Sequence, residues 1–144
     1  MDQVAFLNRS LQLSHARKLA AADKWLARQQ AHETLHNAAH YVGMAAGMAA
    51  QPEPMRVIDG TTGTAWTVPE GPCGFAWVKI PARGSFARWA LACGLMRKSS
   101  YEPGAVLRVH EFGQSVARKA AYARAYADRL SRAGIDATYG SRLD

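Results

Sequence analysis

The chain has 144 residues, a 49% apolar share and a formal net charge of +7. That length and composition suit one compact domain, or a small domain with a helical appendage, and exclude a low-complexity or disordered chain. No apolar run approaches the roughly 18 residues a membrane span needs, the first residues lack a signal-peptide layout, and two cysteines, Cys73 and Cys93, are too few for a disulfide framework, so reduced thiols and a cytoplasmic location are expected.

Residues 3–50 hold no proline, two late glycines and abundant alanine, a strong helix former. Val4, Leu7 and Leu11 keep helical spacing, as do Leu19, Ala22, Trp25 and Leu26, then Leu35, Ala38 and Val42. The apolar face slips between these groups. The pattern predicts one long helix with a weak seam, or a helical hairpin broken near Gln29–Ala31. Such a seam calls for packing on the rest of the chain or for a homo-oligomer built through these helices. Within it, "HETLHNAAH" sets His32, His36 and His40 on one helical face, where a pair one turn apart can hold a transition metal. No companion ligand falls at a recognised spacing, so no metal site is assigned. "GMAAGMAA" (43–50) permits close approach of another helix.

"QPEPMRVIDGTTGT" (51–64) is turn chemistry and reads as a linker between a helical extension (1–50) and a basic α+β module (65–144). In the module, "AWTV" (65–68) suits a short edge strand, and "GFAWVKI" (74–80) alternates as a strand should. "GSFARWALACG" predicts a short helix capped by Ser85 and closed by Gly94. "LMRKSSY", "EPG" and "AVLRVHEF" form a hairpin, and Ser115 to about Ala133 is the longest helix of this half, with a stripe of Val116, Ala120, Ala123, Ala127 and Leu130. "IDATYGSRLD" supplies a last strand. The order β-α-β-β-α-β points to an α+β, ferredoxin-like module with both helices on one face of a four-stranded sheet. Paired matches, "SFAR…CGL" and "SVAR…AGI", fit two equivalent halves. The alternative is a small α/β unit with a mainly parallel sheet.

The charge is uneven. Residues 1–55 balance at +1, while from Arg83 to Arg132 ten cations face three acids. A basic block in a folded domain points to nucleic acid or to an acidic protein. With the first and third strands of the module parallel and central, both helix starts would emerge at one sheet edge. Arg83 and Arg88 would then join Arg118 and Lys119, with Gln114 and Ser115, in an anion site. Alternation sends Phe75, Trp77 and Lys79, beside Arg108 and His110, to the face opposite the helices. Rings for stacking and cations for phosphates are what single-stranded nucleic acid requires. The N-terminal helix could instead cover that face.

Signals for chemistry are sparse. "GTTGT" lacks the G-K-[ST] ending of a phosphate loop, no paired carboxylates stand out, and neither cysteine has an identifiable base. Cys93 is expected in the core. No cofactor is implied, and a non-enzymatic binding protein is expected.

The stretches "GPCGFAWVKI", "SFARWALACGLMRK", "GQSVARKAAYARAYADRL" and "AGIDATYGSRLD" resemble a family of small uncharacterised tailed-bacteriophage proteins. The likeness covers about residues 70–144, and the N-terminal half does not share it. It implies phage origin and action in the host cytoplasm, without implying an activity. It also draws attention to Trp77, Gln114-Ser115, and Ser141, Arg142 and Asp144, and implies that Gln114, Ser115 and Arg142 gather at the helix-start edge.

Overall fold

The computed structural model describes residues 2–144. Asp2 caps a single helix, α1 (Gln3–Ala49), by accepting a hydrogen bond from the Val4 amide. There is no break at Gln29–Ala31, because nothing in that alanine-rich stretch interrupts the backbone ladder. The contacts divide the chain into two units, Met1–Thr34 and Leu35–Asp144. In the first, Val4, Leu7, Leu11, Leu19, Trp25 and Leu26 are all exposed.

The second unit is α+β. After the end of α1 come β1 (Met55–Ile58) and β2 (Ala65–Val68), an antiparallel hairpin. Then follow β3 (Gly74–Ile80), α2 (Ser85–Ala92), β4 (Arg97–Lys98), β5 (Ala105–Arg108), α3 (Val116–Arg132) and β6 (Thr138–Leu143). β1 lies inside the stretch expected to be all turn. Its turn is confined to the tip, where Asp59 Oδ1 accepts from the Thr61 and Thr62 amides at 2.8 and 3.3 Å. Those bonds hold the Asp59 carboxyl below its usual pKa.

The larger sheet runs β4-β5-β3-β6, and every pairing in it is antiparallel. This corrects both the mainly parallel alternative and the expected parallel central pair. A helical crossover returns the chain in its original direction, so β4 runs with β3. The hairpin then reverses it, and β5 must run against β3. The two helix starts therefore lie at opposite ends of the sheet.

Ala76, Val78, Ile80, Leu107 and Val109 point to one face, where Phe86, Ala87 and Ala90 of α2 and Ala123, Ala127 and Leu130 of α3 bury them. α2 begins after Gly84, whose φ of 96° suits a residue without a Cβ; Ser85 is the first helical residue and makes no side-chain cap. α3 has the expected Ser115 cap and ends with the Gly134 and Ile135 amides returning to Ser131 and Leu130.

The last turns of α1 pack on α3. His36, His40, Gly43 and Gly47 form the seam. His40 Nδ1 lies 2.5 Å from the Tyr122 hydroxyl and His36 Nδ1 2.7 Å from that of Tyr126. A Cβ on Gly43 would sit 2.8 Å from the Tyr122 ring, and one on Gly47 would collide with Phe112. The two tyrosines are the bulkiest fully buried side chains. Burial pushes both phenols well above their usual pKa, helped by the charge of Glu111 for Tyr122.

These phenols set an alkaline limit. In the unfolded chain they ionise near pH 10, while the fold holds them neutral, so the unfolded state loses protons first and stability falls above that pH. Each phenol contributes a slope of about 1.4 kcal/mol per pH unit. Urea unfolding at mildly and strongly alkaline pH should show this decline, with a shallower slope in Tyr122→Phe or Tyr126→Phe.

Candidate functional site

The sheet face away from α2 and α3 is not covered by the last turns of α1, which lie on α3. Strand register arranges its residues in rows. Trp77 stands opposite Arg108 on one side and Gly140 on the other, Phe75 opposite Arg142, and Lys79 between Val106 and Thr138. Phe75 is 42% exposed, and Arg108, His110 and Arg142 are exposed. The Trp77 indole is half-buried because it lies on Gly140, where a Cβ would approach it to 2.6 Å. The Arg142 guanidinium carbon is 5.3 Å from the Phe75 ring centroid. This is cation–π distance. Lys79 is ion-paired with Glu102.

The other sequence-predicted residues divide in two. Arg83 and Arg88 are exposed at the start of α2, beyond the C-terminal end of β3. There Lys79, Arg83, Pro103, Asp136 and Thr138 help line an open cleft of about 630 Å³. Gln114, Ser115, Arg118 and Lys119 lie at the start of α3, at the far end of β3, so the two groups do not converge on one anion.

At the α3 start the cations already have partners. Arg118 Nη1 donates to the Gly47 and Met48 carbonyls at 2.9 and 3.0 Å, and its Nε donates to Glu70 Oε2 at 2.6 Å. It closes the carbonyl end of α1, where a helix attracts positive charge. Lys119 is only 7% exposed, with Nζ 3.4 Å from the Gly74 carbonyl and 5.9 Å from the Phe75 centroid. Ser115 is buried; its Oγ accepts from the Arg118 amide and donates to the Glu70 carbonyl. Gln114 alone of the four is exposed. Ser115, Arg118 and Lys119 are thus taken up in contacts within the fold, and the open face keeps Phe75, Trp77, Lys79, Arg108 and Arg142, with exposed His110 two residues past the end of β5.

His36 and His40 are engaged with tyrosines, and among the described residues no group of three or more His, Cys, Asp or Glu is placed to hold a metal ion. Burial, with Arg28 nearby, lowers the pKa of His32. Cys93 is exposed at the end of α2 and not in the core, because the helix closes there, one residue before Gly94. No described helix is long and apolar enough to cross a membrane.

Sequence reasoning missed Glu70 and Gly140. An isolated acid in a loop gives no signal of its partner 48 positions away, whereas a glycine within a strand is a readable sign of close approach. Comparison of the chain with models of protein families, with curated proteins and with solved structures finds no match.

Arg118→Met should cost about 2 kcal/mol, the order of charge-assisted bonds to two carbonyls, with little added by the exposed Glu70 pair. Arg118→Lys should recover only part, since an ammonium cannot span both acceptors and the carboxylate. Chemical denaturation of the three proteins checks this.

Proposed function

We propose that the unit from Leu35 onward is a non-enzymatic binding module whose open sheet face takes single-stranded nucleic acid. The observation that carries the reading is the register that sets an arginine opposite each exposed-face aromatic, Arg108 beside Trp77 and Arg142 beside Phe75. The rings stack on bases. Arg108 and Arg142, with Lys79 on the same face and His110 just past the end of β5, meet the phosphates. Arg83 and Arg88 reach phosphates beyond the C-terminal end of β3. Strand order and the placement of both helices on one face support reading the module as ferredoxin-like. In this reading the protein is phage-encoded and acts in the host cytoplasm, as the resemblance of residues 70–144 implies.

A second reading, capture of an acidic protein, is favoured by Lys79, a cation of this face that already takes a carboxylate, from Glu102. The two readings separate in one titration. A labelled single-stranded oligonucleotide should bind with an affinity that falls steeply with salt, because phosphate neutralisation releases counterions. Trp77→Ala should weaken binding by about 1–3 kcal/mol, the stacking contribution, while a thermal melt confirms that the variant folds. No binding at low salt sinks the nucleic-acid reading and leaves the acidic partner, to be sought by pull-down from nuclease-treated lysate.

A further inference from the structure

The two edges of the four-stranded sheet are built differently. At one, β4 is two residues long, and both, Arg97 and Lys98, are exposed cations. Short, charged edge strands resist pairing with other chains. At the other, β6 runs six residues in unbroken register with β3, without proline, lysine or bulge. Among the described residues its outer side has no strand neighbour, and Tyr139 and Leu143 are 46% and 65% exposed.

The direction of its backbone groups follows from one bond. The Asp144 amide donates to the Cys73 carbonyl at 3.1 Å, so by alternation Arg142, Gly140 and Thr138 turn their N–H and C=O toward β3. Tyr139, Ser141 and Leu143 turn theirs outward. These three are symmetric about Ser141. We infer that β6 pairs antiparallel with β6 of a second copy across a two-fold axis at Ser141, joining two four-stranded sheets into one.

That register uses every outward group. Ser141 meets Ser141, and Tyr139 of each copy meets Leu143 of the other, so the exposed apolar side chains cover one another. Each opposed pair exchanges two main-chain bonds. Arg142 falls opposite the second copy's Gly140, the residue that supports the Trp77 indole, and no like charges are opposed within the ladder. Slipping by two residues would leave an outward group unpaired on each strand. The strand is its own complement, which an unrelated peptide would have to imitate. The axis stands perpendicular to the sheet, so both open faces lie on the same side. This pairing does not depend on what that face binds.

The test follows oligomer mass by light scattering over a concentration series of the full chain, with residue-resolved hydrogen exchange. The wild type should pass from monomer to dimer as concentration rises, with the Tyr139, Ser141 and Leu143 amides slowing in step. The Gly140 and Arg142 amides, already bonded to β3, should not change. Ser141→Pro removes an outward N–H without touching the β3 ladder and should stay monomeric. Tyr139→Lys combined with Leu143→Lys, at two exposed positions, should do the same should the proline variant fail to fold. A wild type that is monomeric at millimolar concentration overturns the inference. A dimer whose three outward amides stay fast also overturns it, placing association elsewhere, for example on the exposed apolar positions of residues 3–34.

Discussion

The guanidinium of Arg118 sits where the end of α1, the loop before β3 and the start of α3 meet, and the arrangement of the second unit follows from that junction. A cation in the first turn of a helix faces the wrong end of its own dipole. Arg118 is stabilised there because it reaches the right end of another, the carbonyls of Gly47 and Met48. With Glu70 neutralising it and Ser115 capping α3 from the same place, the helix start is joined to residues 70–74 by main-chain bonds as well, from Val116 to Pro72 and from Gly74 to Gln114. The chain enters this junction through Phe112, which adopts a φ of 68°. Left-handed geometry in a bulky residue costs about 1–3 kcal/mol, and the close packing of its ring on Gly47 holds it there.

The same junction decides which sheet face is open. Because the end of α1 is drawn to α3, its histidines lie over the helical layer and find the tyrosine hydroxyls there. Two buried phenols would otherwise lack partners. Glycines 43 and 47 give the rings of Tyr122 and Phe112 their space. These last turns of α1 are consumed by the helical side, and the Phe75–Trp77 face is left to the residues of the sheet itself.

What could be read from the sequence was what lies close together in it. Alternation located β3, and the Ser115 and Gly134 caps bounded α3. The alanine stripe of α3 was read as the core, yet Tyr122 and Tyr126 fill more of it; an alanine needs only a helix face, whereas a buried tyrosine needs a hydroxyl partner that lies about ninety positions earlier. Lys119 read as a displayed charge because the carbonyl it approaches, on Gly74, is invisible to composition. β1 was hidden among prolines and glycines, since four residues are too few for a period to emerge. The cationic helix starts were correctly located one by one, but their convergence depended on strand direction, which the hairpin between β4 and β5 inverts.

Strand order also governs when the sheet can exist. β3 occupies an inner position, and one of its two neighbours, β6, follows β4, β5 and α3 in the chain. During translation β3 can pair with β5 and collect α2 and α3, but its other ladder stays open until residues 138–143 join it. Closing it brings together positions about sixty or more apart, a loop-closure entropy that slows folding. Until then the row holding Phe75, Trp77 and Lys79 has a bare flank, and the indole has no Gly140 to rest on. The face is therefore finished only when β6 docks, and a chain in which β6 is still undocked would hold most of its core yet lack the flank that shapes its surface.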